Sequence, residues 1–343
     1  MRNAGWIEER RPIRNGYFCG NARGALDIGL PGAEKGPHAM VQRWPEMTQR
    51  PLVAAIWMLG SVVSFIAMAI AGRAVTPLHD TFEIMTWRSL IGLILVTTLA
   101  LATGRLREAR TRHLPAHLLR NVIHFTGQNL WLWALGLIPL AQLFALEFTS
   151  PVWVIVLSPL LLGERIGRLR AFAAALGFVG VLIVARPDPT SLNPGVLAAA
   201  GSAISFALSA ILTKRLTQQG EGVVAILFWL TLIQFGLGLA MASLDGQIRL
   251  PVAASLPWLV VIGIAGVAAH FCLTRALMLA PASMVMPVDF LRLPLIAVIG
   301  MALYDEPLEP AVVIGAAAIL AANLINLRAG NRQHSAKQAV AES

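Results

Sequence analysis

The chain has little charge for its length. Only 13% of its 343 residues are charged, whereas 57% are hydrophobic, and the mean hydropathy is +0.69. Soluble domains have about a quarter of their residues charged. This shortage excludes a soluble globular protein and indicates a polytopic membrane protein whose partner is the lipid bilayer.

Cysteines and catalytic motifs are also scarce. Cys19 falls in a polar tail and Cys272 in an apolar run, so the two form neither a disulfide framework nor a metal cluster. The sequence has no H-E-x-x-H, no G-x-S-x-G and no phosphate-binding loop. We therefore expect no enzymatic activity, no cofactor and no metal. A membrane-embedded enzyme that uses His124 and His270 is kept as an alternative.

The positive net charge of +9 does not indicate nucleic-acid binding, because the lysines and arginines lie between hydrophobic runs. A membrane-spanning helix needs roughly 20 apolar residues. Ten runs fit this requirement: 52–71, 82–102, 119–137, 140–161, 169–185, 195–214, 223–243, 255–278, 281–303 and 310–327.

Basic residues alternate between the two sides of these spans. The connection 105–120 is rich in arginine, whereas the opposite side has only Arg73, Arg186 and Arg249. Because cytoplasmic loops carry the excess of lysine and arginine, both termini are predicted to be cytoplasmic. Residues 1–50 are predicted to be a disordered cytoplasmic tail, with translation from Met40 or Met47 as an alternative. Residues 329–343 are predicted to be a cytoplasmic C-terminal tail.

The ten spans form an internal repeat. The segment from Trp133 to Glu164 matches the segment from Arg275 to Glu306 without a gap, and Glu147 matches Asp289. Residues 51–186 therefore repeat as residues 187–328. Each copy has an odd number of spans, so the second enters the membrane from the opposite side. Inverted repeats of this kind build transporters with a binding site near the midplane.

Three short motifs accompany this organisation: Thr86-Trp87-Arg88 at the start of span two, Gly163-Glu164-Arg165 after span four and Asp305-Glu306-Pro307 after span nine. With the repeat, they resemble the drug/metabolite transporter superfamily, specifically its EamA-domain members. The resemblance implies a proton- or gradient-linked carrier or exchanger of small metabolites in a bacterial inner membrane. It does not imply a particular substrate.

Ionisable residues inside spans are candidates for function. Asp289 and Arg292 are three residues apart and can pair on one helical face. Arg292 matches Ser150 in the first repeat. Glu147 has no obvious local partner. A carboxylate that lies alone in low-dielectric surroundings can exchange a proton near neutral pH, so Glu147 is a candidate for coupling transport to protons. The alternative is that Glu147 forms a hydrogen bond across helices, for example to Arg88. Arg88 itself could instead pair with Glu83 or with a substrate.

Span three is the most polar span. Asn121, His124, Gln128 and Trp131 recur at spacings of three and four, so they share one face that we expect to line a cavity. The alternative is hydrogen bonding between helices. Trp131 is expected to stack on a substrate.

Prolines concentrate in spans four and nine. Because proline kinks a helix, these two spans are predicted to form kinked walls of the substrate pathway. The prolines are Pro139, Pro151, Pro159, Pro281, Pro287 and Pro294.

The sequence thus predicts an all-α integral membrane protein of ten transmembrane helices arranged as two inverted five-helix repeats. We expect a secondary carrier that moves a small polar metabolite, such as an amino acid, by alternating access. In it, Glu147, Asp289 and Arg292 are expected to form the charged core of a binding site between the two repeats. A passive channel is the other alternative, and a homodimer is left open. The predicted substrate-binding residues are Glu147, Asp289, Arg292, Arg88, His124, Gln128, Trp131, Asn121 and His270.

Overall fold

The computed structural model describes residues 51–162, 167–185, 193–244, 248–279 and 288–342. Several sequence predictions fall outside this part of the chain: the tail 1–50 with its alternative starts, the motif 163–165, and Pro281 and Pro287.

The described residues form helices and turns. Eleven α-helices follow in chain order: α1 (Pro51–Val75), α2 (Thr81–Ala102), α3 (Leu114–Leu135), α4 (Leu140–Glu147), α5 (Ser150–Leu162), α6 (Arg168–Ala185), α7 (Pro194–Gln218), α8 (Val223–Ala242), α9 (Leu256–Leu279), α10 (Arg292–Tyr304) and α11 (Pro310–Glu342). A short 3-10 helix (Leu106–Ala109) lies between α2 and α3. The all-α class is confirmed.

Eight segments of the described chain are long and apolar enough to cross a membrane, with α4 and α5 counted together. The 22-residue α3 is long enough but too polar to be among them, because it carries the polar face noted above. The helix α10 is a shorter apolar helix. Large apolar side chains such as Ile56, Val63 and Ile94 are exposed on the outer surface, as expected for helices that face lipid.

The packing of the helices follows the sequence repeat. Helices α1 and α9 lie along each other, and so do α3 and α7. Because α7 repeats α1 and α9 repeats α3, these are equivalent contacts. Helix α2 packs on its own repeat α8, and α6 packs on its own repeat α11. This pairing is what a pseudo-two-fold axis between two five-span repeats requires.

Two of the spans contain more than the sequence predicts. Span four is one apolar segment, Leu140–Leu157, but the chain turns at Phe148–Thr149 and separates α4 from α5. The last span, Pro310–Ala329, lies close to the predicted 310–327, but its helix continues to Glu342. No apolar periodicity is needed for this extension, since it continues a helix that is already formed and propagation is easier than nucleation.

Polar contacts that include the buried His79 and Glu83 stabilise the end of the bundle at which α1 turns into α2. The Asp80 side chain accepts hydrogen bonds from the first turn of α2, and Glu83 completes this capping box. Glu83 Oε1 also accepts from the backbone N–H of Arg249, at 2.7 Å, and Glu83 Oε2 lies 3.1 Å from His79 Nδ1. These contacts tie α2 to the segment that precedes α9.

A second contact at the same end joins α1, α4 and α10. Arg73 Nη1 lies 2.6 Å from Glu306 Oε1, and Glu306 Oε2 accepts from the backbone N–H of Leu140 at 2.7 Å. Arg73 also lies 5.3 Å from the ring centre of Tyr304. One carboxylate thus holds an arginine and the first turn of α4 together.

Candidate functional site

Two breaks in the helices meet at the centre of the bundle. The first is the turn at Phe148–Thr149, and the second is the turn at Phe290–Leu291 before α10. These positions match in the repeat. The rings of Phe148 and Phe290 contact each other edge to face, with 5.7 Å between their centroids. Both spans are therefore interrupted at the same depth, where discontinuous helices of transporters bind substrates.

The first break has its own hydrogen-bond partners. A broken helix leaves carbonyl groups that must be satisfied inside a membrane. Ser150 Oγ donates to the carbonyl oxygen of Glu147 at 2.7 Å, and Asn323 Nδ2 from α11 donates to that of Phe148 at 2.9 Å. The break is therefore stabilised by side chains from its own helix and from a neighbour.

An ion-paired trio lies between the two breaks. Arg292 Nη1 is 3.1 Å from Glu147 Oε1, and Arg292 Nη2 is 3.2 Å from Asp289 Oδ2. We call Glu147, Asp289 and Arg292 the charged core. The sequence brought Asp289 and Arg292 together correctly. Glu147 has no local partner in its own span, and Arg292 reaches it from the other repeat.

Trp131 holds the second oxygen of Glu147. Its indole N–H donates to Glu147 Oε2 at 2.8 Å, and its ring contacts the edge of Phe144 with centroids 6.0 Å apart. Stacking of a substrate on Trp131 stays a prediction. In this structure the indole N–H of Trp131 orients the carboxylate of Glu147.

Aromatic rings surround the guanidinium of Arg292. The guanidinium carbon lies 4.6 Å from the ring centre of Phe65, 4.7 Å from Phe148 and 5.4 Å from Phe144. Cation–π attraction of this kind strengthens when water is excluded. Sequence reasoning missed these rings as site residues. The repeat offers a signal, because Phe65 matches Phe206 and Phe148 matches Phe290.

Arg88 belongs to a separate cluster. It donates hydrogen bonds to Gln128 Oε1 and, at 3.6 Å, to the sulfur of Met85. The predicted alternatives Glu83 and Glu147 are wrong, since both carboxylates are bound elsewhere. Within the described residues, Arg88 has no carboxylate in ion-pair distance.

The two histidines lie between this cluster and the charged core. His124 Nδ1 is 3.3 Å from Ser209 Oγ, and the ring centroids of His124 and His270 are 6.1 Å apart. His270 contacts Phe65 edge to face, with centroids 5.9 Å apart. Phe65 therefore has Arg292 near one part of its ring and His270 near another.

Asn121 packs between helices. It accepts from Arg120 Nη1 at 2.7 Å and donates to the carbonyl of Trp229 at 3.2 Å. This geometry fits the alternative of hydrogen bonding between helices better than cavity lining. Arg120, predicted to lie in a loop, is only 5% exposed, because α3 already begins at Leu114. Like Arg88, it has no carboxylate partner among the described residues.

The four polar residues of α3 are all buried, as their shared face predicts. The neighbours that they contact differ. Trp131 contacts the charged core, Gln128 contacts Arg88, His124 contacts α7, and Asn121 contacts Arg120 and α8. The centre of the protein therefore has two polar clusters. Within the described ranges, the charged core has two acids for one arginine, and the cluster around Arg88 has a cation without an acid.

The sequence matches one protein family in both halves. Residues 52–186 and 193–328 each match the EamA-like transporter family. The chain belongs to this family. The two matched stretches agree with the two repeats seen in the helix packing.

Individual relatives are transporters. A riboflavin transporter of Rhizobium johnstonii is 31% identical over 288 residues, which are 81% of this chain and 92% of that protein. An S-adenosylmethionine uptake transporter of Rickettsia felis is 26% identical over 286 residues, 82% of this chain and 96% of that protein. A solved crystal structure covers 80% of this chain and 97% of its own, with a TM-score of 0.59 and 19% identity, which supports the fold alone.

These findings define the class. The protein is a multi-pass membrane transporter of small metabolites, and its family and relatives are transporters rather than enzymes.

Proposed function

We propose that this protein is a secondary carrier that works by alternating access. In this proposal a small polar metabolite, an amino acid or a compound of similar polarity, binds between the two repeats at the charged core. The repeats then move relative to each other and open the site to one side of the membrane or the other.

One observation carries the proposal: Arg292 bridges one carboxylate from each repeat. Glu147 belongs to the first repeat and Asp289 to the second, and both lie within 3.2 Å of the same guanidinium. A substrate that takes over one of these contacts changes the interaction between the repeats. A ligand shifts a conformational equilibrium only through such a difference in contacts.

The names of the relatives suggest two further compounds to test as substrates, riboflavin and S-adenosylmethionine. Riboflavin and S-adenosylmethionine each combine a planar heteroaromatic ring system with a polar chain. The rings of Phe65, His270 and Phe148 beside the charged core offer apolar and edge contacts to such a molecule. We therefore place both compounds beside the amino acids in the substrate panel.

The test is counterflow in proteoliposomes that contain purified protein and an excess of unlabelled riboflavin, S-adenosylmethionine or an amino acid. We expect one compound to drive saturable uptake of its labelled form. Glu147→Gln and Asp289→Asn should each reduce this uptake at least about tenfold, since each removes a charge-assisted contact. Glu108→Gln is the control, because Glu108 is exposed and its ion-pair partner among the described residues is the likewise exposed Arg105.

Three outcomes contradict the proposal. Flux that rises without saturation indicates a channel. Full uptake by both core variants removes the charged core from the mechanism. Chemical conversion of the labelled compound indicates the enzyme alternative.

We also propose proton coupling, with Glu147 or Asp289 as the proton carrier. An imposed pH gradient should accelerate uptake by the natural sequence, but not uptake by the variant in which the proton carrier is replaced by its neutral amide. If the gradient leaves the uptake rate of the natural sequence unchanged, proton coupling is refuted.

We further propose that both termini lie in the cytoplasm and that the protein resides in the bacterial inner membrane. A reporter fused to the C-terminus should be active only if it is of a kind that functions in the cytoplasm. Activity of a periplasmic reporter at this position would refute the cytoplasmic orientation.

A further inference from the structure

A small cavity lies between α2, α8 and α9, apart from the charged core. Its volume is about 20 Å³, enough for roughly one water-sized group. Helix α2 belongs to the first repeat and the other two helices to the second. The polar side chains of its wall include Arg88, Ser89, Gln234 and His270.

Two of these side chains are buried without a partner. Ser89 is 3% exposed and Gln234 is 2% exposed, and within the described part of the chain neither Ser89 Oγ nor Gln234 Nε2 has a hydrogen-bond partner. Buried polar atoms are almost always hydrogen-bonded, because an unpaired one loses its contacts with water. Both atoms can donate a hydrogen bond.

Arg88 adds a third donor and a positive charge. Its guanidinium lies against Gly266, where an added Cβ would come within 2.9 Å of Arg88 Nη2. The glycine therefore leaves room for the guanidinium beside the cavity. Among the described residues that line the cavity there is no aspartate or glutamate, so a cationic ligand group has no counter-charge here.

We propose that this cavity is a second subsite, which binds an oxygen acceptor group of the substrate, a carboxylate or a ring carbonyl, through Arg88, Ser89 and Gln234. The proposal rests on the proposed function and deepens it. The charged core then binds the opposite end of the substrate. That end donates hydrogen bonds or carries a positive charge. Phe65 and His270 lie between the two subsites.

This arrangement selects the shape of the substrate. Two subsites separated by a phenylalanine ring and an imidazole favour a molecule whose acceptor end and donor end are held apart by a ring-sized spacer. A short amino acid with both charged groups on one carbon reaches only one subsite. Riboflavin, with its ring carbonyls and hydroxylated chain, and S-adenosylmethionine, with its carboxylate and distant ring, both have the required separation.

The first test compares Gln234→Met and Ser89→Ala with Thr231→Val. Thr231 is also a wall residue, but its hydroxyl donates to the carbonyls of Leu227 and Phe228 in its own helix, both at 3.0 Å, and takes no part in binding. The probes are labelled riboflavin and S-adenosylmethionine in counterflow. For the transported probe we expect KM to rise roughly tenfold in each of the first two variants and to stay unchanged in Thr231→Val.

The second test needs no substrate. Since Ser89 Oγ and Gln234 Nε2 lack partners in the structure, removing them should not lower the melting temperature of the purified protein. If these groups serve only the fold, both variants should melt several degrees lower. A lower melting temperature together with an unchanged KM overturns the proposal.

Variants of Arg88 distinguish whether the acceptor group of the substrate is a carboxylate or a ring carbonyl. Arg88→Lys keeps the charge, and Arg88→Gln keeps a neutral donor. If the ligand group is a carboxylate, the lysine variant retains more affinity than the glutamine variant; if it is a ring carbonyl, the order is reversed. Equal KM for both variants and the natural sequence overturns the subsite.

The inference and the proposed function fail differently. Absence of counterflow with every compound of the panel refutes the proposed function. A natural sequence that transports, while Gln234→Met, Ser89→Ala and Thr231→Val share its KM, refutes only the subsite.

Discussion

The two central helix breaks have the same position in the repeat but different chemistry. After the first break Ser150 turns back onto the carbonyl of Glu147, and after the second Arg292 crosses to the carboxylate of Glu147. The paired rings of Phe148 and Phe290 keep the symmetry at the centre. One substitution within a repeat, arginine for serine, thus converts two similar frames into one asymmetric charged site.

This difference separates two tasks. In the proposed alternating-access mechanism, the matched breaks allow both spans to bend at the same depth, so that each repeat contributes to one of two gates. The single arginine makes the site asymmetric, because Arg292 of the second repeat joins an acid of its own repeat, Asp289, to an acid of the first repeat, Glu147. The predictions that follow alter one side of this comparison at a time.

The largest effect is expected for Arg292→Leu. It leaves the buried Asp289 and the partly buried Glu147 without a counter-ion, and the loss of one partner of a buried pair costs about 3–5 kcal/mol. We expect lost uptake and a large decrease in the free energy of unfolding, measured by denaturant titration in detergent. The matched control is Ser150→Ala, for which a change of about 0.6 kcal/mol is expected.

A triple variant tests the cause. Arg292→Leu combined with Glu147→Gln and Asp289→Asn should recover much of the lost stability, because no buried charge remains. If the single and the triple variant unfold at the same denaturant concentration, charge imbalance is not the reason.

Asn323→Leu should have the next largest effect. It removes the donor to the carbonyl of Phe148 and leaves that group unsatisfied, at a cost of about 2 kcal/mol. Asn326→Leu, one turn further along the same helix, is the control, and it should melt close to the natural sequence. Equal melting temperatures for both variants would show that the first break does not depend on α11.

Trp131→Phe makes Glu147 more like Asp289, which has no tryptophan partner among the described residues. The ring contact with Phe144 is retained, while the hydrogen bond to Glu147 Oε2 is lost, at about 1 kcal/mol. We expect a moderate rise in the KM of uptake. Trp133→Phe is the control, since Trp133 is 48% exposed; a similar rise in both would argue against a role in orientation.

The smallest effect is expected for Pro151→Ala. In the second repeat Leu293 holds the matching position, and the chain turns there without a proline. The first break should therefore persist, with a loss of about 0.4–1 kcal/mol from the freer unfolded chain. Circular dichroism and uptake should stay close to the natural values. A gain of helix content with loss of uptake would show that the proline creates the break.

Much of this site could be predicted from the sequence. Asp289 and Arg292 are neighbours on one helical turn, and Glu147 matches Asp289 in the repeat, so local spacing and self-similarity placed all three at one depth. The sequence predicts one charged core of these three residues, but not that the guanidinium of Arg292 bridges both acids. Arg292 is 145 residues from Glu147 along the chain, and their contact depends on how the two breaks meet. The same applies to Arg88, whose partner is Gln128 rather than a carboxylate.

The sequence by itself determined the membrane fold, the two repeats and the matched positions of Glu147 and Asp289. These properties follow from hydropathy and periodicity, which act along each helix whatever its neighbours are. Only the tertiary structure decided which groups of different helices are paired. Arg292 bridges Glu147 and Asp289, whereas Ser89 Oγ and Gln234 Nε2 have no partner among the described residues. Hydrogen bonding requires contact within about 3 Å, and between helices only their packing sets such distances.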